Sequence, residues 1–231
     1  MTSHPKILIS TIAICIVGVS VSSTAQAPQI FAPLPDGYSR GQDHLVLGLY
    51  AEVGGLSSTT DEQEIDELRA VCTAAGKQIQ WRDRDKADKG IVRIYRTRAA
   101  VVVIRDAVYL TTDRANCTAS YTVKREITAR TGLWKYEDVP YFRSPNLSCG
   151  GRRLGHLCSQ SIIAGIRATC INNGDGLVGS IDCVSQRKDL TQGLLLAHST
   201  YVDDGSAPTG GWALDRVEPT ALIDPEVFRQ E

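Results

Sequence analysis

The sequence predicts an α+β domain, mainly antiparallel sheet, with one N-terminal helix and disulfide staples. Three observations carry this prediction. An apolar stripe at helical spacing ends near residue 76 and gives way to short runs of β-branched and aromatic residues with polar punctuation. Six cysteines lie beyond residue 70. A hydrophobic fraction of 42% with a net charge of −1 supplies apolar surface for a core and sets the chain apart from disordered sequences. The balance of 25 Lys+Arg against 26 Asp+Glu also lacks the basic excess that attracts phosphate backbones, so no nucleic-acid partner is expected.

The first 25 residues read as a secretory signal peptide. Lys6 provides the positive start, Ile7 to Val19 the apolar run, and Ala25-Gln26-Ala27 the small-residue cleavage region. Cleavage is expected after Ala25, because cleavage after Ala27 would place Pro28 directly beyond the scissile bond. No stretch approaches the roughly 18 consecutive apolar residues of a spanning helix. The mature chain is therefore expected to lack a transmembrane segment and to act in the bacterial periplasm or outside the cell. Residues 26–41 form a Pro-containing leader, and residues 42–231, uninterrupted by repeat or low-complexity tract, a single domain.

Loss of Cys15 with the signal leaves Cys72, Cys117, Cys149, Cys158, Cys170 and Cys183, an even set that an oxidising compartment would close into three disulfides. Cys170 and Cys183 flank the turn-rich Asn172-Asn173-Gly174-Asp175-Gly176, and Cys149 and Cys158 enclose a Gly-rich loop. A bridge across each is expected, and Cys72 with Cys117 follows by elimination. The spacing offers neither the close ligand pairs of a zinc site nor a C-x-x-C redox pair. Cys149, His156 and Cys158 are therefore not expected to hold a metal, and no cofactor is expected.

Leu45 to Tyr50 reads as the first strand. Thr60-Asp61-Glu62-Gln63 has capping-box spacing, Ile65, Leu68 and Cys72 share a helical face, and Gly76 supplies the stop. Residues 78–81, 91–98, 101–104 and 108–110 read as successive strands, with Trp81 to Gly90 as a solvated hairpin tip. Tyr121, Val123, Arg125 and Ile127 alternate with Thr122, Lys124, Glu126 and Thr128, as in a sheet with one wet side. Residues 129–160 are irregular. Their Trp134, Tyr136, Tyr141 and Phe142 either cover an open sheet or form the lip of a binding site. Ile162 to Ile171 fits a helix or a strand. Further strands are expected at 177–184, 194–201 and 212–217, a turn at Asp203-Asp204-Gly205, and a last helical turn capped by Asp224 with Pro225 at its first position.

The mature chain has three histidines, His44, His156 and His198. Strand alternation places His198 on the face of Leu194 and Leu196, as a sheet histidine rather than a catalytic base. No G-x-S-x-G elbow, H-E-x-x-H pair or phosphate loop occurs, so no catalytic residue is assigned. Gly150-Gly151-Arg152-Arg153 concentrates two cations in a Gly-rich loop, a candidate contact for an anion or acidic lipid. The candidate ligand-binding residues are Arg152, Arg153, Trp134, Tyr141 and His198.

The closing third carries a further pattern. Ile163-Ala164-Gly165-Ile166-Arg167-Ala168-Thr169-Cys170, then Cys183, Gly193-Leu194-Leu195-Leu196, Trp212-Ala213-Leu214 and Ile223-Asp224-Pro225-Glu226-Val227-Phe228 resemble the closing strands of exported proteins related to the lipoprotein-localisation carrier. That resemblance implies a curved antiparallel half-barrel, with helices over its concave face and an apolar cavity for acyl chains between them. The chain differs from the carrier in its six mature cysteines and single helix, and no ligand-binding residue carries over. The leading expectation is an exported, non-enzymatic binding protein for an apolar or lipid-like small molecule. The alternatives are an exported hydrolase using His198 or His156 with a carboxylate, and a disulfide-rigid interaction or inhibitor domain.

Overall fold

The computed structural model describes residues 29–41, 44–56, 59–145, 158–174, 178–202 and 210–229. The expected signal segment, Cys149, Arg152, Arg153, His156 and the expected turn at Asp203-Asp204-Gly205 lie outside the described residues, as does the side chain of the expected cap Thr60. The described residues form β1 (Val46–Gly54), α1 (Thr59–Ala74), β2 (Gln80–Arg82), β3 (Ile91–Arg96), β4 (Ala100–Asp113), β5 (Thr118–Thr131), β6 (Cys158–Ile163), β7 (Ile166–Asn172), β8 (Val178–Ser185), β9 (Leu195–Val202), β10 (Gly210–Ala213) and β11 (Arg216–Ile223), with a last helical turn at Pro225–Phe228. No helix among them is long and apolar enough to cross a membrane.

The expected α+β class is present as two sheets. The six-stranded sheet runs β11-β1-β3-β4-β5-β2 and the five-stranded sheet β10-β9-β8-β7-β6. Neighbours are antiparallel except β2, which pairs in parallel with β5. One core cluster joins the two sheets: Leu49, Ile94, Val101 and Val103 share it with Ile166, Ala168, Leu194 and Leu196. The six-stranded sheet has two more apolar clusters. In one, Ala32 of the leader and Val227 of the last turn pack with Tyr50, Tyr95, Ile104 and Ile223. In the other, α1 sets Leu68 and Cys72 against Cys117 and Ala119. A strand covered on both faces reads as a continuous apolar run, which accounts for Val101 to Ile104.

Where α1 and its bridge were expected, they form. Gly76 adopts φ +67°, its N–H donates to the Thr73 carbonyl at 3.0 Å, and the Lys77 N–H donates to the Cys72 carbonyl at 2.8 Å. This double closure satisfies the last carbonyls of the helix. Cys72 pairs with Cys117 and Cys170 with Cys183, the latter directly opposite each other on β7 and β8. Cys158 is also disulfide-bonded, while Cys149, its expected partner, is outside the described residues. At the other end, the Asp224 carboxylate accepts the Glu226 N–H at 3.0 Å, with Pro225 opening the turn.

Four local expectations are corrected, and the choice left open at Ile162 to Ile171 falls to strand. The two strands expected at 101–104 and 108–110 are one strand of 14 residues, β4. Asp106 does not interrupt it, because Arg125 Nε donates to Asp106 Oδ1 at 2.6 Å and Arg125 Nη2 to Oδ2 at 2.9 Å, with Arg93 Nη1 donating to Oδ2 at 3.3 Å. On β5 the dry face is dry only at Ala119 and Tyr121, whereas Val123 and Ile127 are 40% and 42% exposed among the described residues. Residues 81–90 are solvated but form no hairpin tip: β2 lies at the sheet edge and β3 between β1 and β4, so this segment carries the chain across the sheet. Ile162 to Ile171 is a β-hairpin, β6 with β7, turning through Ala164 and Gly165 at φ +47° and +75°. The strand expected at 212–217 is split between sheets. The Leu214 N–H donates to the Leu196 carbonyl at 2.8 Å and the Asp215 N–H to the Glu52 carbonyl at 2.9 Å, which takes β10 and β11 to different sheets.

The leader, expected ahead of the domain, packs into it. The Ala32 N–H donates to the Leu222 carbonyl at 3.0 Å, and the Tyr95 hydroxyl donates to the Pro33 carbonyl at 2.6 Å.

Candidate functional site

His198 owes its setting to a bulge. Cys183 opposes Ala197 and Val184 opposes Leu195, so Leu196 is the extra residue of β9 and the side-chain alternation slips by one. His198 consequently lines a cleft with Leu195, not with Leu194 and Leu196 as simple alternation requires. Directly opposite it on β8 stands Asp182, 8% exposed. The two side chains meet at 2.6 Å between His198 Nδ1 and Asp182 Oδ1. Arg143 Nε and Asn173 Nδ2 each donate to Asp182 Oδ2 at 3.4 Å. An ionised carboxylate accepts only, so opposite ionised Asp182 the ring donates from Nδ1, and His198 Nε2 has no hydrogen-bond partner among the described residues.

The aromatic segment supplies a second wall of this cleft, whose volume is about 500 Å³. The Leu195 N–H donates to the Tyr141 carbonyl at 2.9 Å, and the Arg143 N–H donates to the Gly193 carbonyl at 2.8 Å, fixing Tyr141 beside Trp212 at 5.0 Å between ring centroids. Gly193 is required here. It adopts φ +76° and a Cβ would stand 2.4 Å from the Tyr136 ring. Across the cleft, the six-stranded sheet presents Arg105 and Glu126, an ion pair at 3.5 Å. Burial pushes the Tyr141 hydroxyl above its ordinary pKa, so it stays a neutral donor.

Trp134 goes elsewhere. With Tyr136 and Phe142 it surrounds the Arg96 guanidinium, whose carbon lies 5.1, 5.9 and 5.3 Å from the three ring centroids. Arg96 Nη1 donates to the Leu190 and Gln192 carbonyls, both at 2.8 Å. These bonds lock the β8–β9 connection to the end of β3. Of the five candidate ligand-binding residues, Tyr141 and His198 therefore share a cleft, Trp134 packs around Arg96, and Arg152 and Arg153 are outside the described residues. His44 is exposed.

A second cleft, of about 970 Å³, opens beside the β3–β4 hairpin. Val46 and Leu47 of β1, Leu190, Pro219 of β11 and Phe228 of the last turn give it an apolar wall, and Leu47 is 62% exposed there. Arg96, Arg98, Arg187 and Lys188 also line it, against one carboxylate, Asp189. No family model matches the chain, and no curated protein or solved structure does.

Sequence reading missed Asp182, Arg143 and the whole second cleft. A lone acid inside the apolar strand at 177–184 was the available signal for Asp182. Ser185 stands three residues before Lys188, the spacing of a serine–lysine pair. Its hydroxyl is fully buried against Thr191 at 2.9 Å while Lys188 is exposed, which removes Ser185 as a nucleophile. Among the described residues no group of three His, Cys, Asp or Glu side chains is placed to hold a metal ion.

Proposed function

We propose that the protein is an exported, non-enzymatic binding protein that holds an apolar, lipid-like molecule in the cleft beside the β3–β4 hairpin. One observation carries the reading: Leu47, a large apolar side chain left 62% exposed, lines a cleft together with the apolar Val46, Leu190, Pro219 and Phe228, beside its charged residues. Exposed apolar surface gathered in a concavity, in contrast to single exposed residues, is the mark of a ligand site. The volume sits at the upper end of the about 300–1,000 Å³ typical of small-molecule sites. The disulfides are compatible with an oxidising, exported setting. In the same reading the six-stranded sheet supplies the half-barrel wall that the carrier resemblance implies.

The test is a fluorescence titration with the neutral apolar dye 1-N-phenylnaphthylamine. Saturable binding is expected, weakened about 10-fold or more in Leu47→Glu, which replaces an apolar contact worth about 1.5–3 kcal/mol with a charge. Binding that fails to saturate, or that Leu47→Glu leaves unchanged, contradicts the reading.

A second reading, an exported hydrolase, is favoured by the Asp182–His198 hydrogen bond, which leaves Nε2 free to take a proton from water. It requires hydrolysis of small chromogenic esters that falls at least 100-fold in both His198→Ala and Asp182→Asn, the low end for a general base. Absence of activity, or activity equal in the variants, removes it.

A further inference from the structure

Resting on an apolar occupant for the cleft beside the β3–β4 hairpin, we infer that this occupant is a single-chain amphiphile with an anionic head, a carboxylate or phosphate monoester, held by Arg98 and Lys188 together with the half-buried Arg96. The charge distribution carries the inference. Over the whole chain, acidic and basic residues balance to −1, yet this one cleft gathers four cations and a single carboxylate. That carboxylate is already engaged. Asp189 Oδ1 accepts the Thr191 N–H at 2.8 Å and the Thr191 hydroxyl at 2.5 Å, and its Oδ2 lies 2.8 Å from Arg187 Nη2. Arg187 and Asp189 therefore cancel, and three positive charges face the cleft without an ion-pair partner among the described residues.

Arg96 is the most telling of the three. It is half-buried, it makes no ion pair among the described residues, and its Nε is buried with no hydrogen-bond partner. Burial draws its pKa below the ordinary guanidinium value. The ring faces of Trp134, Tyr136 and Phe142 and the carbonyls of Leu190 and Gln192 stabilise the cation, and the one carboxylate whose charge reaches it, Asp189, is ion-paired with Arg187. An anion in the cleft would supply an unpaired negative charge. Arg98 and Lys188 are exposed and bring two cations to the same cleft from two different connections, β3 to β4 and β8 to β9. An alkyl chain beneath such a head would lie along Leu47, Pro219 and Phe228. Neither half of the lining explains the other: an apolar ligand alone has no use for the cations, and a free inorganic anion has no use for the exposed Leu47.

The test is a matched set of twelve-carbon ligands used below their micellar concentrations, read by displacement of 1-N-phenylnaphthylamine from the mature protein. Dodecanoate and dodecyl phosphate are expected to bind at least about 10-fold tighter than dodecanol, and dodecyltrimethylammonium more weakly than all three. Within the carboxylates, affinity is expected to rise about threefold to fourfold per added methylene from eight to twelve carbons. Arg98→Glu with Lys188→Glu, both exposed positions, is expected to lower dodecanoate affinity about 10-fold while leaving dodecanol within about twofold. Equal binding of dodecanoate and dodecanol, both displacing the dye, overturns the anionic head and leaves the apolar cleft standing. Failure of every twelve-carbon ligand overturns both. Binding to vesicles of anionic phospholipid without binding of monomeric dodecanoate makes the cations a membrane-contact patch and overturns the inference.

Discussion

Asp106 shows how a charge is carried through the middle of a strand. Its carboxylate is 7% exposed and both oxygens accept from guanidinium groups, Arg125 from the neighbouring strand and Arg93 from the strand on the other side. The Arg125 hydrogen bond holds the carboxyl below the ordinary aspartate value, against the upward push of burial, with Arg93 assisting. The sign of the pH effect follows. A group whose folded pKa is depressed stabilises the fold above its unfolded pKa of about 3.9 and loses that contribution as the pH falls through the folded value. Asp106→Asn is therefore expected to cost about 1–3 kcal/mol in urea unfolding at neutral pH, because two cations lose their common partner. The difference between variant and parent should shrink as the pH is lowered from about 4 toward 2. A gap that stays constant over that range assigns the loss to packing and not to the ion pair. The sequence offers Arg105-Asp106 as a place for a chain break; only the register of three strands shows that it is none.

At the scale of elements, α1 rests on few buried side chains. Leu68 and Cys72 are fully buried, Ile65 is only half-buried, and Ile79, Trp81 and Leu110 pack at the margin. The Cys72–Cys117 bridge, spanning 45 residues, closes a long loop and so restricts the unfolded chain strongly. Cys72→Ser with Cys117→Ser is expected to lower stability by about 3–4 kcal/mol, and amide hydrogen exchange should accelerate most in α1 while β4 remains protected. Uniform acceleration across the sheet would contradict this division. The helix, its glycine stop, the bridge and the Asp224 turn were legible because their signals are local or follow from counting cysteines. The β6–β7 hairpin was not, since Ala164-Gly165 lacks the Asn or Asp that usually announces such a turn. The switch from β10 to β11 offers only Asp215 as a turn residue; carbonyls on two different sheets set it.

Over the whole molecule, both clefts assemble from parts far apart in sequence. Tyr141 and His198 meet because Leu195 pairs with Tyr141 and a bulge turns β9, while the larger cleft joins residues 46–47, 96–100, 187–190 and 219–228. The Arg187-Lys188 pair and the Arg96-Thr97-Arg98 run are each ordinary surface sequence, and their convergence is a property of the sheet order. The occupant proposed for that convergence is a single-chain anionic amphiphile. Titration of the ¹⁵N-labelled protein with dodecanoate, followed by amide chemical shifts, tests this placement most directly. Saturable shifts are expected at Leu47, Arg98, Lys188, Leu190 and Phe228 with His198 and Trp212 unmoved; shifts confined to His198 and Trp212, or none that saturate, would contradict it.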